Sequence, residues 1–296
     1  MSTALQTSTI PPPPTSTCQK RKRTEFESQP LTPPLAAADA EGSRLVSRAV
    51  NVLSTAAAAL SQVTLLYETD SVAQDGLLRS VDTIASANQA GGKLVICGVG
   101  KSGLVGRKTV ATMKSFGIAC SFMHAAEALH GDLGDIRKVC AAHTIPSTPI
   151  WVANRYQNDV ILFISYSGKT AELLALLPHI PTQTPILAIT SHKRPADCPL
   201  LKSHPNTILL PAPIHELEEV SFGVCAPTTS TTVTIAVGDM LALTVAEAIY
   251  EREEEGVKDV FKRNHPGGAI GAKARKLDID TEIIVSEGLA TPPGLC

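Results

Sequence analysis

Five short apolar runs, three of them ending where glycine or hydroxyl residues begin, constrain this chain more than any other feature. Leu94-Val95-Ile96-Cys97 runs into Gly98, and the same strand-like pattern returns at 119–122, 160–164, 186–189 and 207–210. Apolar runs of this length with little polar alternation mark strands buried on both faces. Helical patterns separate them over about 103–116 and 170–180, and a long one runs from Pro227 to Glu255 with proline near its start. Ahead of the first strand, Val46, Val50, Leu53, Ala57 and Leu60 recur at helical spacing, and a second helical stretch runs from Ser71 to Gly91-Gly92. Strands alternating with helices predict an α/β fold, a three-layer αβα sandwich around a five-stranded parallel sheet.

The remaining sequence limits what such a sandwich can bind and where it works. A formal charge of -2 gives no general attraction to nucleic acid or an anionic membrane, so an anionic ligand must be held by local groups. Residues 1–42 form a tail of Pro, Ser, Thr and Gln that cannot bury enough surface to order itself. Its Lys20-Arg21-Lys22-Arg23 run reads as solvated charge rather than a nuclear-import signal. The folded domain is assigned to 43–277, with a C-terminal tail at 278–296. Seven cysteines without a Cys-x-x-Cys pair argue against a disulfide framework or structural zinc. No signal peptide or run of about 18 apolar residues is evident. The expected location is cytoplasmic, with no membrane and no nucleic acid among the partners.

Ligands of open parallel sheets bind beyond the carboxyl ends of the strands, so the turns there are the candidate site. After the first strand come Gly98-Val99-Gly100-Lys101-Ser102-Gly103. Glycines at Gly100 and its neighbours let the backbone approach an anion, Lys101 and Ser102 add donors, and the helix that follows offers free N–H groups. A dinucleotide site would need an acid about 20 residues on, where Phe122, Met123 and His124 stand. A P-loop would need glycine at Val95. After the third strand, Ser165, Ser167, Gly168 and Thr170 place three hydroxyls around a glycine at a helix start, a pattern that serves either phosphate binding or ordinary capping. Thr228 and Ser230 open the longest helix in a run too rich in hydroxyls for one cap. Repetition of such turns favours an anion.

Acid–base groups lie nearby. Glu172 stands in the first turn of a helix, where an acid also complements the helix dipole. Glu216, Glu218 and Glu219 cluster after the fifth strand, either as a solvated acidic turn or as chemistry. His265 sits in a turn made rigid by Pro266 and tight by Gly267 and Gly268, suited to presenting an imidazole. His124, Glu127, His130 and Asp132 carry metal-binding groups, but their spacing fits no standard ligand pattern. No firm metal site is assigned, with His130 the candidate ligand.

From residue 93 to about 274 these motifs, in this order, resemble the SIS (sugar isomerase) domain of arabinose 5-phosphate isomerases. The resemblance rests on 98–103 with Gly106-Arg107-Lys108, on Glu127-Ala128-Leu129-His130-Gly131-Asp132-Leu133-Gly134, on Ser167-Gly168, on 226–232 and on His265-Pro266-Gly267-Gly268-Ala269. It implies a flavodoxin-like SIS fold assembled as a homotetramer, active sites near subunit interfaces, a small phosphosugar as ligand and no cofactor. It carries catalysis onto Lys101, Glu172, Glu219 and His265. Glu172 is a near match, since the chain reads Ser167-Gly168-Lys169-Thr170-Ala171-Glu172. The implied reaction interconverts arabinose 5-phosphate and ribulose 5-phosphate through an enediol, with Glu172, Glu219 and His265 each qualified to move the carbon-bound proton. A non-catalytic regulator that binds sugar phosphates is the alternative. Isomerisation of a hexulose or heptose phosphate is a third reading. The paired CBS modules of bacterial relatives are not expected here, and 137–158, with Trp151, lengthens a connection that is short in them.

Overall fold

The computed structural model describes residues 40–136, 159–251, 253 and 255–267. The expected tails, apart from the start of the first helix, and the 137–158 connection lie outside the described residues. Two compact units divide the chain, Met1–Arg48 and Ala49–Cys296. In the first, the described residues form only the opening turns of α1 (Ala40–Thr69). The second holds the sheet and everything that follows.

All five anticipated strands are present, each within a residue or two of its expected limits. They are β1 (Leu94–Gly98), β2 (Cys120–His124), β3 (Val160–Ile164), β4 (Ile186–Thr190) and β5 (Thr207–Pro211). Every pairing is parallel and the order is β2-β1-β3-β4-β5, the flavodoxin-like order. The register aligns Ile96 with both Phe122 and Leu162, so the carboxyl ends of β1, β2 and β3 reach one edge together.

Alternation along each strand builds two cores. Leu94, Ile96, Leu162, Ile164, Leu187, Ile189, Ile208 and Leu210 point to one face, where they meet residues of α2 (Ser71–Gln89), α3 (Gly100–Ser115) and α8 (Thr229–Tyr250). Val95, Cys97, Ile161, Phe163, Ile186, Ala188 and Leu209 point to the other, against the short helices α4 (Ala125–Ala128), α5 (Ala171–Leu176) and α6 (Pro199–Lys202). Both sets are essentially solvent-free, which is why these strands show no polar alternation. Two further helices, α7 (Glu218–Phe222) and α9 (Val257–Asn264), flank α8 in sequence.

Glu41–Thr69 and Thr229–Tyr250 are long and apolar enough to cross a membrane by length and composition. The second is the core helix of the sandwich and buries Val233, Val237, Leu241 and Val245. The first sends Val50, Leu53 and Leu65 outward, and within unit two it contributes Ala59 and Val63 to the helix-covered core.

Buried side chains here have large energetic weight. Leu162, fully enclosed on the central strand, leaves a cavity when truncated, so Leu162→Ala is expected to cost about 2–5 kcal/mol in urea unfolding. The buried thiols give a pH dependence. Burial pushes Cys97 from 9.0 up to about 12 and, against weaker opposing effects of Lys114, Cys120 from 9.0 up to about 11. The folded chain therefore keeps protons that the unfolded chain releases above its ordinary thiol pKa, and stability falls as pH rises past that value. The urea midpoint is expected to drop between about pH 8 and about pH 10.5, less steeply in Cys97→Ala. An equal drop in that variant would remove Cys97 from the account.

Candidate functional site

The strand order reverses around β1, with β2 on one side and β3 on the other, and the turns leaving β1 and β3 therefore diverge. Into the resulting crevice the first turn sends Val99, Lys101 and Ser102, and the second sends Tyr166. Residues from 218 onward close the opposite wall: Glu218, Cys225, Pro227, Ser230, Thr231 and Thr234. Together they line a cleft of about 410 Å³. Lys101 is its lysine and Glu218 its carboxylate.

Backbone conformation explains why these turns have their composition. Gly100 has φ of +56° and Gly168 φ of +60°, left-handed values that cost other residues dearly. At Gly168 a Cβ would also lie 2.8 Å from Cys198 Sγ. Gly100 opens α3 without a side-chain cap on its first turn, so N–H groups and the positive end of a 16-residue helix face the crevice beside Lys101. The anion-binding reading of this turn thus has a physical basis in the helix it starts.

Hydroxyls after β3 are largely used in shaping their own turn. Ser165 Oγ pairs with Thr170 Oγ1 at 2.8 Å and accepts the Gly168 N–H at 3.1 Å. Ser167 Oγ accepts the Lys169 N–H at 3.2 Å, and the Ser167 carbonyl meets His192 Nε2 at 2.9 Å. Tyr166 is anchored differently. Its carbonyl accepts from Ser191 N at 2.9 Å, Ser191 Oγ at 2.7 Å and Thr190 Oγ1 at 3.0 Å, a three-donor clamp that ties the β3 turn to the end of β4.

The acidic cluster divides into distinct roles. Glu218 Oε1 accepts from Thr228 N at 2.7 Å, Ser230 N at 3.0 Å and Ser230 Oγ at 2.7 Å. It caps the N-terminus of α8, a service the Thr228 side chain does not perform. Glu219 is exposed, and its Oε2 accepts from Cys225 Sγ at 3.2 Å. Hydrogen bonding to Glu219 and its charge push the Cys225 thiol pKa up. Glu216 bonds to Ser221 Oγ.

Of the residues singled out from the sequence, Lys101, Ser102 and Ser230 line the cleft, with Gly100 and Thr228 at its helix starts; Glu219 is not among the lining residues but accepts from Cys225, which is. Glu172 is exposed in the first turn of α5 and is not among the lining residues. His265 follows α9, where Nδ1 meets Phe261 O at 2.8 Å and Nε2 lies 3.3 Å from Ser115 Oγ at the last residue of α3. Lys101 stands in the first turn of the same helix, roughly 21 Å from Ser115 along its axis. One protomer therefore does not bring Lys101 and His265 together. Gly268 and Ala269 lie outside the described residues.

Around the Glu127–Gly134 segment, Asp135 binds Lys93 Nζ and Ser121 Oγ, and His130 is exposed. Among the described residues no group of three or more His, Cys, Asp or Glu is placed to hold a metal. Sequence reasoning misses the contributions of Tyr166 and Glu218. Both lie inside motifs that the sequence does mark, and only the fold distinguishes the residue facing the cleft from its neighbours.

No family model matches the chain. The arabinose 5-phosphate isomerase KdsD of Francisella tularensis is 34% identical over 215 residues, covering 72% of this chain and 55% of that protein. The enzyme of the same name from Pseudomonas aeruginosa is 37% identical over 202 residues, 67% of this chain and 51% of that one. A solved Escherichia coli CFT073 protein, c3406 in complex with arabinose 5-phosphate, superposes with a TM-score of 0.55 at 28% identity, covering 76% of this chain and 98% of that chain. The chain has the SIS fold of the phosphosugar isomerases. Its SIS sheet and crevice are those described above, and the chain spans about half the length of the curated relatives it matches.

The Glu218 cap of the SIS domain is directly testable. Glu218→Ala leaves the Thr228 and Ser230 donors without their carboxylate and is expected to lower stability by about 1 kcal/mol in chemical denaturation. Glu218→Gln, which keeps an acceptor oxygen, should recover most of that loss.

Proposed function

We propose that this SIS protein is a phosphosugar aldose–ketose isomerase that interconverts arabinose 5-phosphate and ribulose 5-phosphate through an enediol. The observation that carries the reading is the crevice beside β1. There a lysine and an uncapped helix N-terminus share a cleft with a carboxylate and hydroxyls, the equipment for one anionic group and one proton transfer. Curated relatives named for this reaction add support at 34% and 37% identity.

In this reading the phosphate lies at the α3 N-terminus and the hydroxyl turn after β3. A carboxylate removes the proton from the carbon beside the carbonyl, and the electron pair moves to the carbonyl oxygen as an enediolate. Lys101 helps hold the phosphate, a proton passes from one enediolate oxygen to the other, and the protonated carboxyl group returns its proton to the neighbouring carbon. Glu219, bonded to the cleft residue Cys225, is the preferred base. His265 reaches the reaction only from a second copy, and the exposed apolar residues of α1 favour a homo-oligomer, which we take to be a tetramer. We assign the protein to the cytoplasm. Cys97, Cys120, Cys198 and Cys225 are all free thiols, as a reducing compartment allows.

The test is turnover of arabinose 5-phosphate followed by NMR in D₂O, where an enediol route incorporates deuterium at the carbon that receives the proton. Glu219→Gln and His265→Ala are each expected to lower kcat by about 10²- to 10⁴-fold. Mixing Lys101→Ala with His265→Ala subunits, after dissociation and reassembly, should restore part of the activity, because some sites then combine an intact Lys101 with an intact His265. Sugar-phosphate binding without any turnover would favour a regulatory protein instead.

A further inference from the structure

The cleft contains one hydroxyl whose purpose neither the turn geometry nor the reaction scheme accounts for. Ser165 and Ser167 flank it and spend their side chains on the turn itself, on Thr170, Gly168 and Lys169. Tyr166 between them lines the cleft instead. Its carbonyl takes the three donors from Thr190 and Ser191, so its backbone is tied to β4 as well as to β3. It lines the cleft together with Lys101, Ser102, Glu218 and Ser230. A half-buried phenol in that position narrows the cleft and presents a polar tip.

Its chemistry suits donation. Burial, then the negative charge of Glu218, push the Tyr166 pKa up, and a backbone hydrogen bond from Ile214 opposes them only in part. The phenol therefore stays protonated through the neutral range. A hydrogen bond that favours the phenolate is one the oxygen accepts, which leaves the phenol proton for an acceptor in the cleft. In the proposed reading the phosphate is held at the α3 N-terminus with Lys101 and Ser102, which leaves Tyr166 for another oxygen of the ligand.

We infer that Tyr166 donates a hydrogen bond to a hydroxyl or carbonyl oxygen of the bound sugar and so determines which phosphosugar the cleft accepts. The inference rests on the phosphosugar reading of the cleft. A site built to pair a sugar oxygen discriminates by leaving a buried polar group unpaired when that oxygen is absent or inverted.

Tyr166→Phe keeps the ring and removes only the donor, and its melting temperature without ligand should match that of the parent. Calorimetry with arabinose 5-phosphate, ribose 5-phosphate and inorganic phosphate separates the contributions. The variant is expected to bind its preferred pentose phosphate about tenfold more weakly, to discriminate less between the two pentose phosphates, and to bind inorganic phosphate as before. Unchanged pentose-phosphate affinities, or equal losses for the sugar phosphates and inorganic phosphate, would overturn the role of Tyr166 while leaving the phosphosugar reading intact. A parent protein that binds inorganic phosphate but neither sugar phosphate would overturn that reading, and the inference with it.

Discussion

Complete burial of a parallel sheet on both faces is the constraint from which the rest of this molecule follows. Each strand must place apolar side chains alternately into two cores, so polar groups are pushed out of the strand interiors to their ends. The parallel arrangement brings all five carboxyl ends to one edge. Between β1 and β3 the outgoing chains diverge, and the edge opens into a crevice. Lys101, Ser102 and Tyr166 come within reach of Glu218 and Ser230 because the sheet leaves them nowhere else to go. The site is a consequence of topology before it is a matter of individual residues.

The same constraint explains what was legible in the sequence. Strand positions were readable because two-sided burial writes an unbroken apolar run, and β1, β3, β4 and β5 begin where those runs begin. The cap-and-turn residues were readable because left-handed glycines and hydroxyls at helix starts are local necessities. The partition of Glu218 from Glu219 was not. Adjacent carboxylates on one helical turn differ only in direction, and direction is set by where α8 begins, ten residues further on. Tyr166 was likewise hidden, since a hydroxyl between two serines looks like one more hydroxyl until the turn consumes its neighbours.

His265 exposes a deeper limit of linear reading. A motif list puts Lys101 and His265 in one set, yet in a single protomer they attach to opposite ends of α3, with His265 held by Phe261 and Ser115. Sequence order carries no information about which of two copies supplies a side chain. The distance along a rigid helix shows that one protomer keeps Lys101 and His265 apart, because a 16-residue helix cannot fold back on itself to close the gap.

Glu218 gives the cleft an electrostatic character beyond that of a passive anion trap. Its carboxylate satisfies the α8 N-terminus internally, through two backbone N–H groups and the Ser230 hydroxyl. The donors at Thr228 and Ser230 are therefore already occupied by a negative group. The uncapped start of α3, beside the cationic Lys101, is the end of the cleft where an incoming anion meets no carboxylate already in place. In the proposed reading, a phosphosugar is thereby oriented with its phosphate toward Lys101 and the start of α3 and its carbon chain toward Tyr166 and Glu218. That polarity would place the proposed proton transfer at the end of the sugar away from the phosphate, on the side of α7, the helix that carries Glu219.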